Sequence, residues 1–381
     1  MIPYGHQTID ARDIGAVTGV LKSDFLTQGP KIGEFEKALA KHCGVGYAVA
    51  FSNGTSALHG AYFVAGLKNR DEFITSPLTF AATANAGLYL GAKPVFADID
   101  EDGNLDPIDV ERKITKNTKL ISVVDYTGRP AKLKEFKKLA LKHGLVLIED
   151  ACQALGAEYG GKRAGSISDM TVFSFHPVKS ITTGEGGAVL TNNKDYHEKL
   201  ILFRSHGITK DVNKMKEKDE GPWYMEMQVL GYNYRLTDIQ AVLGISQLKK
   251  VNKFISARRE IAERYGKELK PLSRYIILPR DDSKNILSAW HLYVIRLTGS
   301  VRDKRRKVFE SLRKAGIGVQ VHHIPVYFHP YYEKMGYKRG LCPKAEDFYN
   351  TCISLPIFPN LSLKDQKTVT KKVKEIIPSI T

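Results

Sequence analysis

Between about residues 47 and 192 the chain alternates short runs rich in Val, Ile and Phe with segments of helical periodicity, and that alternation admits few architectures. The runs YAVAFS, EFITSP, KPVFADID, KLISVVDYTG, LVLIEDA, DMTVFSFH and GAVLTN read as strands. Helices are predicted in most of the gaps, over Thr55 to Gly66, Thr79 to Leu90 and Leu133 to His143, the last capped by Gly144. Strands separated by helices give an α/β fold with a mainly parallel sheet covered on both faces. From about residue 238 the texture changes. A long helical stretch is predicted from Asp238 toward Leu269, then a Pro-bearing link, the strand-like run AWHLYVIRL, a basic helix and a terminal amphipathic helix. This divides the chain into a large domain over 1–250 and a smaller C-terminal α+β domain over 251–381.

At 381 residues and 43% hydrophobic, the chain can bury such a core. No run reaches the roughly 18 to 20 apolar residues of a membrane span, and the start MIPYGHQTID lacks a basic segment followed by an apolar one. A protein that is neither membrane-bound nor secreted is expected. Cys43, Cys152, Cys342 and Cys352 show no metal or disulfide spacing, which fits a reducing cytoplasm. The net charge of +16 is compatible with nucleic acid, with phosphorylated ligands or with a soluble surface. Its clusters, Arg302 to Lys307, Lys249 to Lys253 and Lys371 to Lys374, lie in amphipathic patterns, so solvated helix faces explain them better than nucleic-acid binding.

Three motifs resemble other chemistries and fail a residue-level test. In GAEYGGKR, Gly156 to Arg163, an arginine stands where a phosphate-binding loop needs a hydroxyl for magnesium, and a hairpin turn is expected. Gly44 and Gly46 precede a strand instead of following one, against a dinucleotide fingerprint. His322 and His323, read as strand neighbours, would point to opposite faces with no further ligand at metal spacing, so no metal is expected.

In open α/β sheets ligands sit beyond the carboxyl ends of the strands, and three of those ends are unusual. Ser52-Asn53-Gly54-Thr55-Ser56 leads from a strand into a helix N-terminus, where free N–H groups and the helix dipole suit a phosphate; an ordinary helix cap would look the same. Glu149-Asp150 ends a buried strand, where a carboxylate wants a cationic partner or a cap. A unit charge about 4 Å from another contributes roughly 4 kcal/mol at an effective dielectric of about 20, or about three pKa units, enough to keep a pyridine nitrogen protonated. Lys179 follows the strand end Ser174-Phe175-His176 and precedes the glycine-rich TTGEGG; desolvated there, its neutral amine would attack an aldehyde, whereas in water it would be an ordinary surface charge. A phosphate cradle, a strand-end Asp and a strand-end Lys together match the needs of pyridoxal 5'-phosphate (PLP).

At these residues the chain resembles the DegT/StrS-type nucleotide-sugar aminotransferases: SNGTSAL, TFAATANA, IEDACQALG, FSFHPVK, TTGEGGAV, GYNYRLTDIQA, HHIP and SLPIFP occur in that family's order and span nearly the whole length. The resemblance implies a type I PLP aminotransferase fold acting as a homodimer with shared active sites. It implies Lys179 as the Schiff-base lysine, Asp150 as the pyridinium partner, Phe80 stacked on the cofactor, Gln153 near its phenolic oxygen, and Gly54, Thr55 and Ser174 at its phosphate. Asn233 would reach the partner's site, with Arg235 beside it. Tyr4, the segment Asp24, Phe25, Leu26, Thr27, and the segment His322, His323, Ile324, Pro325 match positions that line the sugar-nucleotide site. VVDYTGRP and FLTQG are most similar to the transaminases that act on UDP-4-keto-6-deoxy-N-acetylhexosamines in pseudaminic acid biosynthesis, which implies L-glutamate and a UDP-linked keto-sugar as substrates. Cys152 and His323 depart from the family's usual Ala and Tyr without removing a catalytic group. Relatives that are sugar dehydratases carry His at the lysine position, and here Lys179 is present. A 3-keto or a dTDP- or GDP-linked sugar, and a regulatory protein of the same fold, are the rival expectations.

Overall fold

The computed structural model describes residues 1–380. Seven strands, β1 (Tyr47–Phe51), β2 (Glu72–Thr75), β3 (Lys93–Phe96), β4 (Thr118–Val124), β5 (Val146–Asp150), β8 (Met170–Ser174) and β9 (Gly187–Thr191), form one sheet. Each predicted run supplies one of them. Between β5 and β8 the hairpin expected from Gly156 to Arg163 is present as β6 (Glu158–Tyr159) and β7 (Lys162–Arg163), turned by Gly160 and Gly161, both at positive φ.

The sheet order is β1-β9-β8-β5-β4-β2-β3, with parallel pairing throughout except for β9, which runs against both neighbours. Because β9 is reversed, its first residue, Gly187, lies at the same sheet edge as the last residues of β1 and β8. It pairs with Phe51 on one side and Ser174 on the other.

The helices are α1 (Ala11–Leu21), α2 (Pro30–Cys43), α3 (Gly54–Val64), α4 (Ala82–Leu88), α5 (Pro107–Lys113), α6 (Leu133–His143), α7 (Lys194–Arg204), α8 (Asp238–Leu248) and α9 (Val251–Leu269), followed by α10 (Arg305–Lys314), α11 (Pro330–Lys334), α12 (Pro343–Thr351) and α13 (Leu363–Ser379). Alternate side chains of each strand feed opposite layers. Val49 and Phe51 of β1 pack with Leu58 and Tyr62 of α3 and Leu200 of α7, whereas Ala48 and Ala50 join Phe35 and Leu39 of α2 on the other face. On that second face Ile121, Val123 and Leu147 meet Phe136 and Leu139 of α6.

Two short strands, β10 (Ile208–Thr209) and β11 (Glu226–Met227), pair before α8, and the C-terminal part contains a three-stranded sheet of β12 (Ile276–Ile277), β14 (Tyr293–Leu297) and β15 (Cys352–Leu355). A further strand, β13 (Ile286–Leu287), extends the hairpin sheet through β6. Helix α9 joins the two cores: Val251, Phe254 and Ile255 belong to the large one, and Ile261, Tyr265 and Leu269 pack with the small sheet, α10 and α13.

Three sequence expectations need correction. The stretch from Asp238 to Leu269 is two helices, broken at Lys249 and Lys250, where the Lys250 N–H bonds to Gln247 three residues back and its ammonium is held by Asp13 at 2.5 Å. Of AWHLYVIRL only Tyr293–Leu297 is strand, because Trp290 adopts φ 48° and turns the chain before it. His322 and His323 are not in a strand. Their rings lie side by side, with centroids 4.9 Å apart, instead of on opposite faces.

Candidate active site

The carboxyl edge of the large sheet gathers most of the singled-out residues. After β1, Asn53 caps α3 by accepting the Ser56 N–H at 2.8 Å, while Ser56 Oγ accepts from the Asn53 N–H in a capping box. The first N–H groups of α3, on Gly54 and Thr55, have no intrahelical partner and carry the positive end of the helix dipole. A Cβ built on Gly54 would stand 3.0 Å from Ser174 Cβ, 3.3 Å from its Oγ and 3.5 Å from Cys152 Sγ. The glycine thus keeps open a small cradle bounded by the helix N-terminus, the end of β8 and Cys152.

Asp150, nearly buried at the end of β5, accepts from Thr83 Oγ at 2.7 Å and from the Cys152 N–H at 3.2 Å. Its neighbour Glu149 points the other way, as strand alternation requires, and accepts from Ser168 and Thr171. Of the two carboxylates that the sequence left open, Asp150 is therefore the one on the Lys179 side. Lys179 closes the turn after β8, its N–H bonded to His176. Burial pushes its pKa down, and the neighbouring Cys152 and Asp150 side chains pull it partly back. A lysine so placed holds a larger share of neutral amine than one in water.

Three histidines share this region. His322 is lowered to about 4 by burial and then by the charge of Lys179; its Nδ1 meets Ser354 Oγ at 2.8 Å. His323 and His291 are pushed well down, chiefly by burial, with Lys179 contributing to both. His323 Nε2 and His291 Nδ1 are buried without a hydrogen-bond partner. Tyr4 lies 5.5 Å from the His322 ring, and Phe80, 66% exposed, lies 6.3 Å from His323. Ile324 and Pro325 follow, and the Val326 N–H anchors the segment to Pro77 beyond β2. Gln153 is buried with its side-chain oxygen on the Thr127 N–H at 2.8 Å, which leaves its amide N–H groups as donors.

The remaining candidates are elsewhere in the protomer. Asp24, Phe25, Leu26 and Thr27 are exposed beside the cap of α8, where Leu26 accepts the Asp238 N–H and Thr27 bridges to Thr237. Asn233 is exposed next to half-buried Arg235; the adjoining Tyr234 carbonyl accepts the Ser52 N–H, so this segment borders the cradle from outside. Sequence reasoning missed Thr83, Thr127 and His291. Thr83 was legible only as the second threonine of the pair Thr79 and Thr83, four residues apart and hydrogen-bonded at 2.8 Å.

The profile of the DegT/DnrJ/EryC1/StrS aminotransferase family matches residues 7–374. The chain belongs to this family. It is 44% identical to the UDP-4-amino-4,6-dideoxy-N-acetyl-beta-L-altrosamine transaminase of Campylobacter jejuni, over 100% of this chain and 98% of that one. Among solved structures it is similar to Helicobacter pylori PseC, an aminotransferase involved in the biosynthesis of pseudoaminic acid (38% identity, TM-score 0.93, 99% of each chain). It is also similar to the PLP form of the sugar aminotransferase Spr1654 of Streptococcus pneumoniae (28%, TM-score 0.93, 100% and 99%). The protein is a PLP-dependent aminotransferase with the type I aminotransferase fold, and its own residues fit the cofactor. The space that a Cβ at Gly54 would fill sits at a helix N-terminus suited to a phosphate, with a desolvated lysine and a nearly buried, hydrogen-bonded aspartate at the same sheet edge. Among the described residues no helix is long and apolar enough to cross a membrane.

Proposed function

We propose that this aminotransferase moves the amino group of L-glutamate to the C4 keto group of a UDP-linked 6-deoxy-N-acetylhexosulose, releasing 2-oxoglutarate, and that it works as a homodimer with shared sites. The observation that carries the substrate assignment is the full-length similarity to a transaminase named for a 4-amino-4,6-dideoxy sugar nucleotide. When bound, PLP supplies an aldehyde that takes up the amino group and a ring that withdraws electrons.

The residues have the following roles. With the cofactor bound, Lys179, its pKa lowered by burial, would hold the cofactor's aldehyde through its amine and would serve as the base that moves the proton of the donor's Cα. Asp150, fixed by Thr83 and the Cys152 N–H, would pair with the pyridine nitrogen and keep it protonated. Gln153, its oxygen tied to Thr127, would donate toward the phenolic oxygen, and the exposed Phe80 ring would offer its face for stacking. Gly54, Thr55 and Ser174 would hold the phosphate, and Asn233 of one protomer would complete its partner's site. Tyr4, His322, His323, Ile324 and Pro325 line the sugar side, while Asp24 to Thr27 and Arg235 approach it from the partner.

The test is the visible spectrum with PLP before and after L-glutamate, together with product analysis by NMR on a UDP-4-keto-6-deoxy-N-acetylhexosamine. The expected results are a lysine-dependent band that glutamate converts, no band or turnover in Lys179→Ala, and amination at C4. Full turnover by Lys179→Ala sinks the lysine assignment, and amination at another carbon sinks the sugar assignment.

A further inference from the structure

A cavity of about 140 Å³ lies behind the Tyr126–Gly128 turn, between the carboxyl end of β4 and the small sheet. None of Lys179, Asp150, His322 or His323 lines it. Its walls carry three arginines, Arg129, Arg280 and Arg296, and two carboxylates, Glu101 and Asp102. The carboxylates are already taken: Asp102 pairs with Arg129 and Arg280, each at 3.3 Å, and Glu101 pairs with Arg280.

Arg296 is different. It is half-buried on β14, on the strand face opposite the core residues Ile295 and Leu297, and among the described residues no carboxylate pairs with it. Its guanidinium lies 5.1 Å from the centre of the Phe348 ring, and Trp290 supplies another wall. A guanidinium in a partly desolvated, aromatic-walled space is stabilised by a planar or tetrahedral oxyanion that accepts its N–H fork. Among the described residues, two of the five non-glycine residues at positive φ, Thr127 (62°) and Trp290 (48°), line this one cavity. For a β-branched and an aromatic residue that conformation is strained, and such strain gathers where a fold is built around a ligand.

We infer that this cavity is a second binding site, for a small oxyanion (a carboxylate or a phosphate) held by Arg296. The volume is well below the roughly 300 Å³ of ordinary drug-sized pockets, so a nucleotide is too large. The inference rests on the cavity alone and does not depend on which sugar the enzyme aminates.

The test uses the PLP-loaded full chain with inorganic phosphate and succinate as separate probes. Trp290 is one of only two tryptophans, so in a Trp223→Phe background its fluorescence reports the cavity directly, beside calorimetric titration. A saturable change is expected with at least one probe, the tighter one telling phosphate from carboxylate. Arg296→Gln should weaken it by at least about tenfold and Arg296→Lys by less, with the cofactor's visible band and Tm retained as evidence of an intact fold. No saturable change with either probe up to about tens of millimolar, or equal binding by Arg296→Gln, overturns the site. Succinate heat that persists in Arg296→Gln without a Trp290 signal assigns that ligand to the Lys179 site and likewise overturns it.

Discussion

Thr83 holds Asp150 in place from outside the motif that contains it. Its hydroxyl donates to the carboxylate at 2.7 Å, the stronger of the two bonds Asp150 receives there, and a hydrogen bond to a charged group is worth about 1.5–3 kcal/mol. Thr83→Val is therefore expected to lower kcat by roughly ten- to a hundredfold, with KM for the sugar nearly unchanged and Thr83→Ser restoring most of the rate. Steady-state kinetics on the three forms decide it; an unaltered valine variant means that the Cys152 N–H orients Asp150 alone. If Asp150 pairs with the ring nitrogen as proposed, Asp150→Asn removes about 4 kcal/mol of interaction and should cost up to about three orders of magnitude in kcat. The gathering of Lys179, Asp150 and Gly54 at one sheet edge was legible in the sequence because each ends or follows a strand, and strand ends are where such folds place ligands. Thr83 and His291 were not, since their relation to Asp150 and Lys179 is made across 67 and 112 residues and leaves no local spacing to read.

Between β9 and the N-terminus of α3 there is no room for a side chain. A Cβ on Gly187 would lie 2.5 Å from the Asn53 carbonyl oxygen and 2.8 Å from the Gly54 nitrogen, both backbone atoms that cannot swing away. Gly187→Ala must push α3 from the sheet, at a cost of about 1–3 kcal/mol by the usual measure of overpacking. Lower Tm and at least about tenfold weaker PLP binding are the expected outcomes, read by thermal melts and cofactor titration. Retained affinity would show that the phosphate is held elsewhere. The seven strands were readable because a two-sided buried sheet writes continuous apolar runs, and α6 was readable to both ends because Gly144 closes it at φ 65°. The break at Lys249 and Lys250 and the non-strand course of His322 and His323 were hidden, because both are set by distant partners: Asp13 for the first, and Tyr126 and Ser354 for the second.

Two properties belong to the molecule as a whole, and acid sensitivity is one. His42, His59 and His322 are each lowered to about 4, first by burial, so the native state keeps them neutral while the unfolded chain protonates them near 6.5. Between those values the unfolded state binds more protons, and stability present above pH 6.5 is lost as pH falls toward 4. Urea midpoints should fall steadily from pH 7 to 5 at constant m, and a flat profile would mean that the rings are hydrated in the native state. The second concerns the proposed homodimer. Phe25, Leu26, Trp223, Met227 and Leu230 expose large apolar surfaces, and Asn233, on the segment bordering the cradle, faces out of its own protomer. Such surface is what a stable homodimer covers, and a C2 pairing brings the same segments to both sites at once. If the sites are shared, Lys179→Ala dimers lack the lysine in both sites and Asn233→Ala dimers lack the cross-protomer contact in both. A mixed dimer has one site that receives Lys179 from one chain and Asn233 from the other. Mixing the two weakened variants after partial unfolding and refolding should then recover activity toward about a quarter of wild type, since random pairing makes about half the dimers mixed and half of their sites complete. Activity that stays at the average of the two parents would place Asn233 in its own protomer's site, or outside any site, and would leave the dimer without a catalytic role.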